Sequence, residues 1–450
     1  MNDTIFKKTA RKYLLLKKKW SPQQNLFYGF LTYVLIGFIL LLLPFSTKGS
    51  IPVLDSLFTA TSAVSTTGLT TVPIANSYTF FGQLVITFLI QLGGIGYLSF
   101  TTFMILSTTR KITNWHKRIL STEFTLPNTL QITDFLKSVI LFTLVMETVG
   151  AILFFIAFTN DGMETKGAIW SAIFHSVSSF CTAGFSLFDN NFISYVDDYF
   201  INGIIAALAI SGSLGFIVIT DFMTFIKNKK HKLTFTSKII IFGLIILFVF
   251  GTTFFYFLEP TISSLTGHAR FLAAFFQCMS AITTVGFNSV DLGSFTQAMM
   301  LVCIFLMYVG ASPSGTAGGI KITTLTAVLA IVKSRLQGSK NVTFLGKKIP
   351  YERLYIATAA FIFYTALIVF GTFLITLTHK IKFEDILFEV ASALGTVGVS
   401  TGITATLSSF GKSVLIVLMF VGRIGVLTFG LAIWERKEKE TKLITEDIAL

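Results

Sequence analysis

The sequence predicts an all-α integral membrane protein: four pseudo-symmetric M1–P–M2 repeats, eight transmembrane helices plus four re-entrant pore helices, around one central pore. Two observations carry that expectation. Apolar residues make up 53% of the 450 positions and charged residues only 13%. Runs such as 26–43 and 239–258 are long enough, at ~1.5 Å per residue, to cross about 30 Å of hydrocarbon. The second observation is an internal repeat, which has to be read before any single motif. Gly68, Gly184, Gly286 and Gly398 each have a Phe ten residues earlier (Phe58, Phe174, Phe276, Phe388), a Ser six earlier (Ser62, Ser178, Ser280, Ser392) and a Thr two earlier (Thr66, Thr182, Thr284, Thr396). Four copies of F-x3-S-x3-T-x-G, spaced by 116, 102 and 112 residues, imply that each copy supplies one quarter of an ion filter.

Taken in order, residues 1–25 carry seven Lys/Arg and one acid and read as a cytoplasmic basic arm. Repeat 1 covers 26–109: a first span at 26–43 ended by Pro44, a half-helix at 52–65 too short to cross, the segment Thr66–Thr70, and a second span at 79–109. Repeat 2 covers 110–226, with spans at 135–158 and 199–226 around a half-helix at 168–180. Repeat 3 covers 227–332, with spans at 239–258 and 295–332 around a half-helix at 268–283. Repeat 4 covers 333–434, with spans at 354–378 and 409–434 around a half-helix at 382–394, and a cytoplasmic tail follows at 435–450. The N-terminal basic region runs into a full-length span, with no cleavage-site pattern of a signal peptide.

Charge placement checks this topology independently. With the N-terminus inside, segments 1–25, 110–137, 227–238, 333–353 and 435–450 are cytoplasmic and hold 27 of the 35 Lys/Arg residues. Eight crossings return the C-terminus to the same side, as the positive-inside rule requires. The net charge of +13 therefore needs no nucleic-acid partner. The outer loops hold ten acids, among them Asp189, Asp197, Asp198, Glu384 and Asp385, against six bases. They form either an acidic vestibule that concentrates cations or merely soluble loops. Cys181, Cys278 and Cys303 show no metal-ligand spacing.

The repeated segment suits a dehydrated cation. Non-helical backbone at membrane depth is tolerated only where it is buried in protein or lines a wet cavity. A half-helix entering from outside points its C-terminal partial negative charge inward. The segments that follow contain Thr66-Thr67-Gly68, Thr182-Ala183-Gly184, Thr284-Val285-Gly286 and Thr396-Val397-Gly398. Each glycine permits positive φ, so that successive carbonyls turn toward one axis. Rings of such carbonyls can replace an ion's hydration shell, and the first Thr adds a hydroxyl at the inner end. The repeated Ser is expected to pack or cap within the half-helix, and the repeated Phe to anchor it.

The outgoing helices align at Gly93, Gly212, Gly310 and Gly422. Three are expected to continue as helices through GGIGY, GSLGF and GRIGV. The third instead reads GASPSGTAGGIKI from Gly310 to Ile322. Pro313 with Gly315, Gly318 and Gly319 must break it. With Ser312, Ser314 and Thr316 they make a loop beneath the filter that acts as a gate. The phosphate-loop pattern G-x4-G-K-[ST] is absent. Arg423 and Lys321 are the two cations left at membrane depth, where charge is costly and functional by default. Arg423 acts as an electrostatic barrier, braces the broken third helix through its carbonyls, or pairs with Glu147 or Asp221. Lys321 either joins the gate or snorkels to the cytoplasmic surface.

On these motifs the chain resembles, over essentially its whole length, the pore subunit of the Trk/Ktr/HKT superfamily of K⁺ transporters, most like KtrB-type bacterial subunits. It is expected to lack the extra N-terminal helix pair of the TrkH kind. In that family the single filter glycine supports K⁺ selectivity, and serine in the first loop goes with Na⁺ transport. Gly68, Gly184, Gly286 and Gly398 therefore imply K⁺. The second glycine of the TVGYG loops of tetrameric channels is absent. The resemblance further implies a homodimer in the cell membrane, gated by a cytoplasmic ring of KtrA-like, nucleotide-binding RCK subunits, with possible partners K⁺ and Na⁺ and no cofactor in this chain. Basic loops 227–238 and 333–353 would dock that ring or anionic lipid. Two rivals remain: a Na⁺- or H⁺-coupled symporter with alternating access, and a membrane enzyme. The enzyme reading lacks an acid, base or metal cluster such as H-E-x-x-H.

Overall fold

The computed structural model describes residues 20–96, 132–227 and 232–434. Most of the basic arm 1–25, the lower part of the second span and the tail 435–450 lie outside the described residues. The described residues form helices joined by turns and loops, with two short strand pairs. Four times a long apolar helix is followed by a short one. The pairs are α1 (Pro22–Leu41) with α2 (Val53–Val64), α4 (Ile132–Asn160) with α5 (Thr165–Phe180), α8 (Phe235–Leu258) with α9 (Gly267–Thr283), and α12 (Tyr351–Thr376) with α13 (Phe383–Leu394). Between and after these pairs run α3 (Phe80–Ile95), α6 (Tyr199–Ser213), α7 (Phe216–Lys227), α10 (Gln297–Tyr308), α11 (Ile322–Leu336), α14 (Ser409–Ile424) and α15 (Val426–Trp434).

Among the described residues, the four long helices are long and apolar enough to cross a membrane, and two bent pairs raise the number to six. Their outer faces confirm the solvent they are built for. Ile39, Val249 and Val369, on α1, α8 and α12, are 59%, 63% and 63% exposed, as side chains facing lipid should be. The inner faces bury the short helices. Phe58, Phe174, Phe276 and Phe388 are at most 1% exposed, so the repeated aromatic is the anchor that the sequence suggests. Each helix that leaves the repeated turns starts at a side-chain cap. Thr79, Asp198, Thr296 and Ser408 accept from backbone amides of the first turn, which satisfies donors that the helix cannot.

Two expectations need correction. The spans predicted at 199–226 and 409–434 are not continuous: α6 and α7 meet at 96°, and α14 and α15 at 98°. The cause is the second glycine of each G-x-x-G pair. Gly96, Gly215 and Gly425 have φ of 86°, 82° and 91°, outside helical space and open at low cost only to glycine. The first glycine of each pair has a different task. A Cβ on Gly93, Gly212 or Gly422 would lie 2.0, 2.0 or 2.1 Å from the carbonyl oxygen of Val64, Phe180 or Leu394. The outgoing helices thus press directly on the C-terminal ends of α2, α5 and α13. In the third copy the break is wider: β1 (Val309–Gly310) and β2 (Ile320–Lys321) pair in parallel, Val309 with Ile320 and Gly310 with Lys321, and close a loop between them. A second pair, β3 (Thr343–Phe344) with β4 (Lys347–Lys348), makes an antiparallel hairpin before α12.

Candidate functional site

The four short helices end in the same way. The amides of Thr67, Ala183, Val285 and Val397 donate to the carbonyls of Ser62, Ser178, Ser280 and Ser392, at 2.8, 2.8, 3.2 and 2.8 Å. That closure normally carries glycine in the left-handed position. Here threonine occupies it: Thr66, Thr182, Thr284 and Thr396 have φ of 51°, 51°, 55° and 48°. A β-branched residue is unusual there and costs about 1–3 kcal/mol, which persists only where the surroundings enforce it. The residue after each Thr is not left-handed, and the glycine after that is again, with φ of 93°, 67°, 83° and 93°. Alternating hand turns successive carbonyls to one side. The sequence predicted positive φ at the glycines and missed it at the threonines.

The repeated serine, expected to pack or cap within the half-helix, instead reaches past the helix end with its hydroxyl and holds the turn. Ser62 and Ser392 accept from the amides of Gly68 and Gly398, both at 3.1 Å. Ser178 and Ser280 donate to the carbonyls just past the glycine, Phe185 at 2.8 Å and Phe287 at 2.6 Å.

The turns meet in a closed circuit. A Cβ on Gly68 would lie 2.4 Å from the Ala183 oxygen, one on Gly184 2.5 Å from that of Val285, one on Gly286 2.3 Å from that of Val397, and one on Gly398 1.9 Å from that of Thr67. Each glycine therefore abuts the next copy, and the fourth abuts the first. All four line one cavity of about 320 Å³, together with Ser186, Asp189, Asn288, Ser400 and Thr404. Asp189 is the one acid in that lining, and several of the other outer acids serve as local caps and ties, of which, among the described residues, only Asp55 meets a counter-charge. Asp198 caps α6, Glu259 accepts from Thr261 and Thr296, Glu384 from Gln297, and Asp55 pairs with Lys412 at 2.7 Å.

On the other side of the glycines stands the loop of the third copy. Thr182 donates its hydroxyl to Thr316 Oγ1 at 3.0 Å, and Thr284 Oγ1 accepts from the Gly318 amide at 3.1 Å. A Cβ on Gly318 would lie 2.0 Å from Thr396 Oγ1. Three of the four threonines thus touch the loop. The hydroxyls of Thr66 and Thr396 are buried without a hydrogen-bond partner. Elsewhere the loop leans on the second copy's bend: the Thr316 amide donates to Gly212 O at 3.1 Å, and the Phe216 amide to Ser314 O at 3.2 Å. Ser312 and the Pro313 carbonyl pack against Gly215, and Gly315 against the Ser213 carbonyl. Gly310 and Gly319 pack on each other at the loop's base.

Both cations engage this loop. Arg423 donates to the carbonyls of Thr316, Gly93 and Gly94, which joins three copies and fits the bracing alternative. Asp221, one of the acids considered for it, accepts from the Thr234 amide and hydroxyl at 2.9 and 3.0 Å. Lys321 does not snorkel outward: its Nζ turns back onto Ala317 O at 2.6 Å and Gly318 O at 2.9 Å, because those carbonyls lost their helical donors at the break. A second cavity of about 280 Å³ lies at the helix bends, lined by Gly93, Gly96, Pro313, Gly318, Lys321, Arg423 and Gly425 among others. The threonine row and the loop stand between the two cavities.

Comparison with known proteins agrees with this geometry. The family model described as TrkH, cation transport protein, matches residues 7–440. The Ktr system potassium uptake protein B of Bacillus subtilis (strain 168) is 34% identical, covering 91% of this chain and 92% of that protein. The protein of the same name from Vibrio alginolyticus is 33% identical over 92% of this chain and 91% of its own. The potassium/sodium uptake protein NtpJ of Enterococcus hirae is 33% identical over 94% of each. The crystal structure of the potassium transporter TrkH from Vibrio parahaemolyticus superposes with a TM-score of 0.70, at 22% identity, over 90% of this chain and 85% of that one, a likeness of fold. With a family model spanning residues 7–440 and relatives a third identical over more than nine-tenths of each chain, the chain belongs to the TrkH family of cation transport proteins.

Proposed function

We propose that this chain is the pore subunit of a K⁺ uptake system in the cell membrane. Its four long-helix, short-helix, outgoing-helix units form four M1–P–M2 repeats around one central pore, with both termini cytoplasmic. The observation that carries the reading is the closed circuit of four glycine turns. Only four copies meeting on one axis give each glycine a carbonyl of the next copy to press on.

In this reading K⁺ enters from the outer cavity and sheds water against carbonyls of Thr66 to Gly68, Thr182 to Gly184, Thr284 to Gly286 and Thr396 to Gly398. The C-terminal ends of the four short helices supply partial negative charge below. The loop from Gly310 to Gly319, held by Lys321 and Arg423, then blocks the exit. Its withdrawal opens the pathway to the lower cavity, an intramembrane gate of the order–disorder kind. The names of the relatives support K⁺ as cargo, and that of the Enterococcus protein supports an effect of Na⁺. A second copy of the chain and a cytoplasmic nucleotide-binding ring complete the system. The hairpin of β3 and β4, with exposed Leu345, Lys347 and Lys348, suits a docking contact on that side.

Flux of ⁸⁶Rb⁺ and ²²Na⁺ into proteoliposomes under an imposed voltage tests the proposal. A selective pore passes Rb⁺ ahead of Na⁺ and follows the voltage without an opposing ion gradient. Equal Na⁺ and Rb⁺ flux, or Rb⁺ uptake that needs an inward Na⁺ or H⁺ gradient, contradicts it; the second result favours coupled symport.

A further inference from the structure

Nine residues before each ring glycine, the four copies differ completely: Thr59, His175, Gln277 and Glu389. Thr59 turns its hydroxyl onto its own helix, to Asp55 O at 2.9 Å. The other three reach the segment that leaves the ring. His175 Nδ1 lies 2.8 Å from Ser171 O, and a carbonyl can only accept, so Nδ1 carries the proton. Nε2 then accepts from the Leu187 amide at 3.2 Å and faces Ser186 Oγ at 3.1 Å. Gln277 donates its amide to Ser289 Oγ at 3.1 Å.

Glu389 does most. Fully buried, it accepts from the Ser400 hydroxyl, from the Thr401 amide at 3.1 Å and from the Thr404 hydroxyl at 2.8 Å. Ser400, Gly402 and Thr404 line the cavity directly outside the glycines. Ser400 is two residues past Gly398, so the carboxylate stands within about 10 Å of the ring. All three partners are uncharged donors, which hold the carboxylate in place without cancelling its field. At that range, behind protein rather than water, the field is weakly screened.

We propose that Glu389 sets the cation affinity of the outermost site of the pathway. It fixes the segment 400–404 against the fourth turn, and its ionised carboxylate supplies a negative charge near the outer mouth that Thr59, His175 and Gln277 do not supply. Glu389 is thus a positioning residue that acts on the ion through its field and through the wall it holds. The inference rests on the reading that ions pass through the ring.

Substitutions separate charge from brace. Glu389→Gln keeps the shape: its amide oxygen still accepts from Ser400 and Thr401, and its amide nitrogen donates to Thr404 Oγ1. The half-saturating Rb⁺ concentration in proteoliposome uptake is expected to rise about tenfold, with maximal rate and melting temperature retained. Adding Gln277→Glu returns one carboxylate to the equivalent place in the third copy, and half-saturation is expected to return toward the wild-type value. An unchanged half-saturation in Glu389→Gln, or no recovery in the double variant, overturns the inference. Should Glu389→Gln not fold, Gln277→Glu alone carries the test: a second carboxylate lowers half-saturation about threefold, and no change overturns it. Gly68→Ser marks the reading beneath. Rb⁺ over Na⁺ preference that ignores this ring substitution defeats the pathway itself, whereas a response to it with Glu389→Gln silent defeats only the role of Glu389.

Discussion

At the ring, three different sequences in four copies take one conformation; one tier below, four aligned glycines lead into different backbones. The ring segments TTG, TAG, TVG and TVG all place Thr near φ of 50° and close the same amide bond onto a serine carbonyl. Below, Gly215 and Gly425 bend their chains alike and Gly96 shares their positive φ, while the third copy departs into a strand-closed loop. On the proposed reading a spherical ion rewards equal carbonyls on every side, and the ring keeps its symmetry even at the strain of four left-handed threonines. On the same reading an obstruction needs only one element that can withdraw, so asymmetry below the ring is compatible with equal coordination above it.

The largest effect should come from abolishing the asymmetric tier. Deleting residues 312–318 removes the contacts of Thr316 and Gly318 with the threonine row, and Rb⁺ uptake per folded protein is expected to rise about tenfold or more. Uptake that stays level or falls, in protein that elutes and melts normally, would show that the loop is no obstruction.

Next comes damage to the symmetric tier. Gly68→Ser forces a side chain into left-handed backbone and against the Ala183 oxygen. The preference for K⁺ over Na⁺ in competition uptake should fall about tenfold, since 1.4 kcal/mol lost between two ions is enough. Identical selectivity would detach Gly68 from the ion.

Arg423→Gln sharpens the comparison, because it loosens the loop without touching the ring. Each lost charge-assisted bond to the carbonyls of Thr316, Gly93 or Gly94 is worth about 1.5–3 kcal/mol. Part of that loss favours the open loop, and uptake should rise about fivefold with selectivity kept. A fall in uptake would favour a different role for the guanidinium.

Smallest in function is Lys412→Ala. Lys412 Nζ joins Asp55 at 2.7 Å, with 14% and 8% of the side chains exposed, and ties the fourth outgoing helix to the first short helix. Leaving Asp55 buried alone costs about 3 kcal/mol and lowers the melting temperature by a few degrees. Ion preference should not move, and a changed preference would mean that the outer tie shapes the ring.

The sequence made the symmetric tier legible because its demands are local and repeated. Phe58 and its three counterparts bury, the short helices fall within a few residues of their expected limits, and the four glycines meet. What escaped was set by neighbours distant along the chain. The bends at Gly215 and Gly425 could have been read from the recurring G-x-x-G, but helix and bend share that pattern, and packing against α5 and α13 decides. The left-handed threonines contradict local preference and are enforced only once the turn closes. Lys321 could reach water or the broken helix equally well until the free carbonyls of Ala317 and Gly318 were in view. Glu389 carries no motif at all, and its partners lie eleven to fifteen residues on.

On the proposed reading a bare cation sits where the four glycine turns close. Anomalous diffraction from crystals grown in Rb⁺ or Tl⁺ tests it most directly. Density is expected on the axis enclosed by Gly68, Gly184, Gly286 and Gly398, absent when Na⁺ replaces the heavier ion. An empty axis with the cation bound elsewhere would contradict it.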